Sequence, residues 1–361
     1  MVSSPDWAWL PSDLLDSILE KLIPITDYIR FGAVCKHWQS AASHQKEHRM
    51  KSCHKQLPML MEITRNYKDE GRVDALFSVA QGGKLRQLNY MPYYIKNKQP
   101  FSGMTWCGST HGWLVYDESN SVLTLLNPFT RHTITLPPLR EPTDARAFIH
   151  WVKLSADPCL CPNDYEVLVR YNSIEFDSVT SLAYFRSGDD TWTQIGDESF
   201  ASKVSDAVYY KGQFVALTRS ELPANFTINF SSIPTTKFES HDPYSPYMIS
   251  EYILESSGGD LLLVKRIEVS MTSKKCIQVF KLLHADGDMP RWVAIKSIGS
   301  DVLFLCIRSA MSVSALDFPQ CVPNSLYFTD GVFNLEKTEE WIEKDTSGLY
   351  NSLLWVSPTI R

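Results

Sequence analysis

The spacing of hydrophobic residues along the chain changes near residue 50. Before this point, apolar residues recur at three- and four-residue steps. After it, short apolar or alternating runs are separated by turn residues. The first pattern is typical of amphipathic helices and the second of β-strands. The sequence therefore predicts a small helical unit followed by a long all-β region.

The first helical segment has a clear apolar face and recognisable ends. Five apolar residues recur at helical spacing and share one face: Leu14, Leu15, Ile18, Leu19 and Leu22. Pro11 suits a first helical turn, and Ser12 can cap it. Pro24 ends the helix, because proline cannot continue the hydrogen-bond ladder.

Two further short helices are predicted before residue 50. Thr26 or Asp27 can cap the second, and the third is expected from about Lys36 to His44. Three short helices in about 40 residues expose more apolar surface than they can bury among themselves. This surface packs either onto the rest of the chain or onto another protein.

Strand signals recur from residue 57 to the end of the chain. Lys211-Gly212 and Gln81 to Lys84 are turn signals between such runs. The predicted strands are Leu57–Ile63, Ala75–Ala80, Gly112–Tyr116, Val122–Leu126, Arg131–Leu136, Tyr165–Arg170, Leu182–Arg186, Gly188–Ile195, Ala207–Tyr210, Phe214–Leu217, Leu261–Ile267, Ile277–Leu282, Arg291–Ile295, Val302–Cys306, Ser325–Phe328, Gly331–Phe333 and Leu353–Ser357.

Tryptophans next to turns give the β region a period. Trp192 and Trp292 lie 100 residues apart, and Trp341 follows 49 residues later. A unit of about 40 to 50 residues with four strands is typical of a propeller blade. The sequence thus predicts an α+β chain with a β-propeller of six blades, with five or seven also compatible. A pair of β-sandwiches is the alternative.

The last predicted strand, Leu353–Ser357, has no sequence neighbour to pair with. A propeller avoids a frayed edge by joining its first and last blades. We therefore expect this strand to pair near Leu57–Ile63 and close the ring.

Composition narrows the function classes. A formal net charge of -6 argues against a nucleic-acid partner, because phosphate binding needs a basic face. The eight cysteines are scattered without metal-ligand spacing, so we expect free thiols and no metal or cofactor. The chain shows no leader and no membrane span, so an intracellular location, nucleus and/or cytoplasm, is expected.

The N-terminal region carries a recognisable motif. Trp9-Leu10-Pro11-x-x-Leu14-Leu15-x-x-Ile18-Leu19-x-x-Leu22 is followed by Asp27, Arg30-Phe31 and Val34-Cys35-Lys36-x-Trp38. This sequence closely resembles the F-box, with departures at Tyr28-Ile29 and Gln39. The resemblance implies binding to the Skp adaptor of cullin-type SCF ubiquitin ligases.

The resemblance also implies which residues meet the Skp adaptor. The implied contacts are Leu10, Pro11, Leu14, Leu15, Ile18 and Leu19. Val34, Cys35 and Trp38 either contact the adaptor or hold the three helices together, and the sequence leaves both roles open.

The β region resembles the KIB-type propeller of a large plant group of F-box proteins. The resemblance is carried by Gly108–Tyr116, Asn127-Pro128-Phe129, Leu136-Pro137-Pro138 and Ser325–Asp330. It implies an F-box at residues 5–48 and a propeller at residues 55–361. In this group the motifs are structural, and the domain has long been catalogued as one of unknown function.

Three local patterns invite a chemical interpretation, and each has a plainer one. Gly108–Gly112 matches neither the nucleophile elbow nor the phosphate loop, so a turn before Trp113 is expected. Asp189-Asp190 is expected to be a solvated turn rather than a metal pair. The glutamates between Leu335 and Lys344 have helical spacing and predict a charged surface helix.

The leading functional hypothesis is a non-catalytic ligase subunit. The F-box would bind the ligase core, and propeller loops would capture a protein substrate. The alternatives are a propeller enzyme or small-molecule receptor, and an F-box scaffold outside any ligase. The segment from Leu222 to Tyr247 is a candidate for substrate contact, although an ordinary irregular connection is the preferred interpretation.

Overall fold

A computed structural model describes most of the chain. The described residues are 7–22, 25–52, 57–64, 72–79, 85–88, 105–117, 121–128, 132–139, 147–173, 179–218, 247–269, 274–283, 291–306, 308–336, 341–343 and 352–357. The candidate segment from Leu222 to Tyr247 lies outside these residues except for Tyr247, and so does the turn at Gln81 to Lys84.

The predicted helices are present, with different ends. A short 3-10 helix, Trp7–Trp9, precedes α1 (Ser12–Lys21), α2 (Ile25–Gly32) and α3 (Lys36–Ser52). Pro11, rather than Ser12, occupies the cap position of α1, and it makes no side-chain capping bond. Helix α2 begins at Ile25, so Thr26 and Asp27 are inside its first turn. Helix α3 continues to Ser52, beyond the predicted end at His44.

The strands of the first half are, in chain order, β1 (Met59–Thr64), β2 (Arg72–Val79), β3 (Leu85–Leu88), β4 (Thr105–Thr110), β5 (Trp113–Asp117), β6 (Val122–Leu126), β7 (Thr133–Pro138), β8 (Ala147–Leu154), β9 (Glu166–Ser173), β10 (Thr180–Arg186) and β11 (Thr193–Gln194). Most coincide with predicted runs to within a few residues. Strands β3, β4 and β8 were not predicted, and β11 covers only the end of the predicted strand Gly188–Ile195.

The second half begins with a short helix, α4 (Glu198–Lys203), capped by the Asp197 side chain. The strands that follow are β12 (Val204–Tyr210), β13 (Gln213–Thr218), β14 (Tyr247–Glu255), β15 (Leu261–Val269), β16 (Lys274–Leu283), β17 (Arg291–Ile295), β18 (Asp301–Cys306), β19 (Ser309–Ser314), β20 (Ser325–Phe328), β21 (Gly331–Asn334), β22 (Trp341–Glu343) and β23 (Ser352–Val356).

These strands form sheets in a β-propeller arrangement. In the described residues the strand orders are β23-β1-β2-β3 (sheet 1), β4-β5-β6-β7 (sheet 2), β8-β9-β10-β11 (sheet 3), β12-β13 (sheet 4), β14-β15-β16-β17 (sheet 5) and β19-β18-β20-β21-β22 (sheet 6). Adjacent sheets contact each other through the first strand of each order. Strand β4 contacts β8, β8 contacts β12, and β12 contacts β14. Strand β14 contacts β19, β19 contacts β23, and β23 contacts β4.

The predicted pairing of the first and last strands is present. Strand β23 runs antiparallel to β1, with Met59 opposite Val356 and Ile63 opposite Ser352. Leu60, Leu354 and Trp355 are buried in this sheet. The C-terminal strand therefore completes a sheet whose other strands come from the start of the β region.

Sheet 6 has an irregular strand order and includes a segment that was predicted to be helical. Strand β18 pairs in parallel with β20, and β19 lies on the other side of β18. The prediction of a helix between Leu335 and Lys344 is wrong, because Trp341–Glu343 is strand β22 and pairs with β21. Trp341 lies opposite Phe333 in β21. Pairing at the edge of the sheet therefore sets the conformation of this segment, although its glutamates have helical spacing.

The three periodic tryptophans occupy equivalent places in their sheets. Trp292 lies in β17 and Trp341 in β22, each the last strand of its sheet, and Trp192 immediately precedes the last strand of sheet 3. The indole of Trp192 donates to the carbonyl oxygen of Pro137, at 2.8 Å. The tryptophan period therefore reflects the sheet repeat, as predicted.

Candidate partner-binding surface of the helical unit

Buried side chains of the three N-terminal helices pack together, in a cluster that continues into residues of sheet 1 such as Leu60 and Trp355. Leu15 and Leu19 are 0% and 1% exposed, and Phe31 is also buried. The Tyr28 hydroxyl donates to the carbonyl oxygen of Ala42, which joins α2 to α3. Leu15 and Leu19 therefore mark the side of α1 that faces the other helices.

The segment before α1 is attached to α3 by polar contacts. The Trp38 indole donates to the carbonyl oxygen of Trp7 at 3.0 Å, and its ring lies 4.5 Å from that of Phe31. The His37 Nε2 atom lies 2.9 Å from the carbonyl oxygen of Leu10, at hydrogen-bond distance. These contacts hold the Leu10-Pro11 segment against the start of α3.

The predicted contact residues differ in how far they are exposed. Leu14 is 48% exposed and Val34 is 57% exposed, and Pro11 is exposed as well. The half-buried residues are Leu10, Ile18, Cys35 and Trp38. Leu14 and Ile18, four residues apart on α1, share one helix side, so an apolar strip begins one turn after Pro11, the N-cap of α1.

Leu15 and Leu19 are buried, unlike Leu14 and Pro11 of the same motif. They belong to the same buried cluster as Tyr28, Phe31 and Ala42, so they leave no surface for a partner in this conformation. A helical pattern marks an apolar face but does not say which part of it faces neighbouring helices. Their direct contact with an adaptor stays a prediction, and the burial favours a role in holding the helices together.

Two exposed tryptophans lie beside this surface and were not among the predicted contacts. Trp7 and Trp9 are both exposed, and the ring of Trp9 stacks at 6.4 Å from that of His37. Large aromatic side chains exposed next to a turn are a signal of partner contact. In the sequence, this signal is the pair of tryptophans at positions 7 and 9, just before Leu10-Pro11.

The glycine-rich segment Gly108–Gly112 ends strand β4 and turns at His111-Gly112 into Trp113, and a turn before Trp113 was expected. His111 and Gly112 have φ angles of 48° and 82° and connect β4 to β5 in a hairpin. The His111 ring lies 3.2 Å from the carbonyl oxygen of Leu154 on the neighbouring sheet. This segment therefore joins sheets 2 and 3.

Asp189 and Asp190 are exposed in the turn after β10, as expected. The Asp189 carboxylate accepts a hydrogen bond from the backbone N–H of Arg186.

Within the part of the chain that the structure describes, no three histidine, cysteine or acidic side chains come together as metal ligands. None of the described helices has the length and hydrophobicity of a membrane span.

Comparison with known proteins agrees with this architecture. The F-box-like family model matches residues 7–48, and the KIB1-4 beta-propeller family model matches residues 76–351. The F-box protein SKIP23 of Arabidopsis thaliana is 27% identical, with 94% of this chain and 88% of that protein covered.

Other relatives from the same plant cover similar lengths. F-box protein At2g26160 is 22% identical, with 92% of this chain and 97% of that protein covered. F-box protein At4g35733 is 24% identical, with coverage of 90% and 89%. The second family model alone spans most of the chain. The chain therefore belongs to the family of plant F-box proteins that carry a KIB1-4 beta-propeller.

Proposed function

We propose that this protein is the substrate-recognition subunit of an SCF-type ubiquitin ligase. Its F-box binds a Skp-type adaptor and, through it, a cullin. Its propeller recruits a protein substrate. The protein is non-catalytic in this role, because ubiquitin transfer belongs to other subunits. Its contribution is to raise the effective concentration of substrate lysines near the ubiquitin donor.

The observation that carries the proposal is the apolar strip that stays exposed on the packed helical unit. Leu15 and Leu19 are buried, yet Leu14 and Val34 remain about half exposed. Exposed apolar residues on packed helices suit helix-against-helix docking, with a few anchors giving most of the affinity. The F-box-like match over residues 7–48 gives the chemical class of the partner.

The same proposal includes a six-bladed ring closed by β23. It is supported by six sheets in the described residues and by first-strand contacts that lead from β4 around to β23 and back to β4. The β1–β23 pairing lies outside the propeller match at 76–351 and supports the wider boundary, 55–361. The F-box is assigned to residues 5–48.

The test is co-purification with a plant Skp-type adaptor. The double variant Leu14→Ala/Val34→Ala is expected to bind the adaptor at least about tenfold more weakly, because two anchors are truncated. A matched control is Leu316→Ala/Val322→Ala, which makes the same two substitutions at residues 82% and 37% exposed on the propeller. This control is expected to bind like the wild type.

Two outcomes contradict the proposal. Failure of the wild-type protein to bind the adaptor removes the ligase role and leaves the enzyme or receptor alternative. Adaptor binding without ubiquitination of any captured protein in a reconstituted ligase identifies a scaffold instead. A fluorescent fusion tests the proposed nuclear and/or cytoplasmic location separately.

A further inference from the structure

A cysteine and a histidine from two neighbouring sheets meet at hydrogen-bond distance. The His132 Nδ1 atom lies 3.1 Å from the Cys159 Sγ atom. His132 directly precedes β7 of sheet 2, and Cys159 lies between β8 and β9 of sheet 3. Cys159 is a thiol and does not belong to a disulfide. An imidazole at this distance can take the proton of a thiol as the sulfur reacts, which is how a cysteine is activated as a nucleophile.

The turn that carries Cys159 is held by a buried carboxylate. The Asp157 Oδ1 atom accepts a hydrogen bond from the backbone N–H of Cys159, at 2.8 Å, and another from the indole of Trp113, at 3.1 Å. The backbone carbonyl oxygen of Asp157 accepts from the N–H groups of Leu160 and Cys161, both at 3.0 Å. Asp157 and Trp113 are buried. The cysteine turn of sheet 3 is therefore attached to the core of sheet 2.

The same tryptophan lies beside the histidine. The rings of Trp113 and His132 are 5.6 Å apart. The backbone carbonyl oxygen of His132 accepts a hydrogen bond from the N–H of Asn127, at 2.9 Å. Trp113 thus contacts the imidazole directly and the cysteine turn through Asp157, so one buried side chain positions both halves of the pair.

The pair lies at the surface, where a reagent can reach the sulfur. His132 is exposed and Cys159 is half-buried, with part of its side chain against the apolar cluster of sheets 2 and 3. Among the described cysteines, Cys276 on β16 is the exposed one. If access alone decided reactivity, Cys276 would react first. If the histidine contact decides it, Cys159 reacts first.

We propose that Cys159, with His132 as its base, is a site of reversible modification by a low-molecular-weight disulfide of the glutathione type. His132 takes the thiol proton, and the Cys159 sulfur attacks one sulfur of the small disulfide. The S–S bond of that molecule breaks as the new mixed disulfide forms, and the departing thiolate takes the proton from His132. Cys159 is thereby oxidised and one small thiol is released. The reverse exchange restores Cys159, so its state follows the ratio of small disulfide to small thiol.

The test treats the full chain with oxidised glutathione at pH 7 and follows each cysteine over time by tandem mass spectrometry. Cys159 is expected to react about tenfold faster than Cys276, because a paired thiol has more thiolate character than an unactivated one. Cys161 is the internal comparison, since it lies in the same turn and is also half-buried. It is expected to react about tenfold more slowly than Cys159.

His132→Gln tests the role of the base. It is expected to slow the reaction of Cys159 about tenfold at pH 7, because glutamine cannot take the proton. At pH 9.5, above the ordinary thiol pKa of about 8.5, the rates of wild type and variant are expected to agree within about twofold, because the thiolate forms without a base. His44→Gln, at an exposed histidine on α3, is the matched control and should leave the rate unchanged at both pH values.

Three results overturn the proposal. The first is that Cys159 reacts no faster than Cys276. The second is that His132→Gln leaves the rate at pH 7 unchanged, or lowers it equally at pH 7 and pH 9.5, as a merely structural role would. The third is that Cys159→Ser takes up glutathione as fast as the wild type. Melting temperatures of the variants are measured alongside. The proposal is independent of the ligase role, and adaptor binding is expected to be the same in all these variants.

Discussion

The Lys153 ammonium group lies 2.8 Å from the Asp206 Oδ1 atom, and both side chains are largely buried. Lys153 belongs to β8 and Asp206 to β12, so the pair joins sheets 3 and 4. The second carboxylate oxygen of Asp206 accepts a hydrogen bond from the backbone N–H of Ile253 in β14, at 3.1 Å. One carboxylate therefore links three successive sheets.

Asp206→Asn is expected to lower the free energy of unfolding by about 3 kcal/mol, because it leaves the Lys153 charge buried without its counter-ion. The asparagine still accepts from Ile253, so the loss reports the ion pair. Urea denaturation measures the effect.

Adding Lys153→Met to Asp206→Asn is expected to recover part of the lost stability, since no uncompensated charge then remains. If the stability losses of the two single variants add in the double variant, the two side chains are not coupled. The ion pair then does not stabilise the contact between sheets 3 and 4.

Asp330 forms a second clamp between sheets. Arg266 approaches it with two nitrogens, at 2.8 and 2.6 Å, and the Lys275 ammonium group lies 2.9 Å away. Both bases come from sheet 5, and Asp330 lies in the turn between β20 and β21 of sheet 6. Asp330→Asn is expected to cost about 2 kcal/mol, at the low end for such pairs because the site is partly exposed. Asp190→Asn, in an exposed turn, is expected to change stability by less than about 0.5 kcal/mol.

The contribution of Asp330 depends on pH with a defined sign. Burial alone would raise the pKa of Asp330, but hydrogen bonds and charges from Arg266 and Lys275 outweigh it and lower the pKa below 3.8. The stabilisation is therefore complete above the unfolded pKa and is lost as the pH falls through the lowered value. The difference in melting temperature between wild type and Asp330→Asn should shrink towards zero on acidification from pH 7, and a constant difference would contradict the assignment.

Gly108→Ala combines two costs at one position. The new Cβ would meet the carbonyl oxygen of Arg308 at 2.7 Å, and the φ angle of 144° is strained for any other residue. We expect a loss of about 2 to 4 kcal/mol. Gly188→Ala is the matched control, since its φ is 94° but nothing lies within 4 Å of the added atom. Its cost is expected to be about 1 kcal/mol. Equal stability losses in the two variants would show that the contact with the Arg308 carbonyl oxygen adds nothing to the cost.

The sequence predicted the parts of this fold that follow local rules. Most runs of apolar strand formers, the turn at Lys211-Gly212 and the tryptophan spacing were read correctly, but the run in β14 was missed. Strand β19 was missed because Ser-Ala-Met-Ser-Val-Ser lacks a β-forming pattern, and it takes this conformation by pairing with β18. Strand β8 was missed because His150 and Lys153 interrupt its apolar run. Both side chains make contacts that depend on tertiary structure.

The candidate site shows the same limit. Helical periodicity grouped Leu14 and Leu15 on one face, whereas packing against α3 buries Leu15 and leaves Leu14 exposed. The pairs Lys153–Asp206 and Arg266–Asp330 join residues more than 50 positions apart, and no local pattern marks them. Their recognition requires the order of the sheets.

His150 gives the last prediction, a loss of stability in weak acid. Burial, together with Arg170 and Arg308, lowers its pKa below 6.5, while the Asn172 hydrogen bond opposes this. In the interval below 6.5 the unfolded chain binds a proton that the folded chain does not, so stability falls as the pH falls towards the lowered value. His150→Gln keeps a donor for Asn172 but does not titrate. Between pH 7.5 and 5.5, the melting temperature of the wild type should therefore fall more than that of His150→Gln, and parallel curves would show that the ring does not sense this charged surrounding.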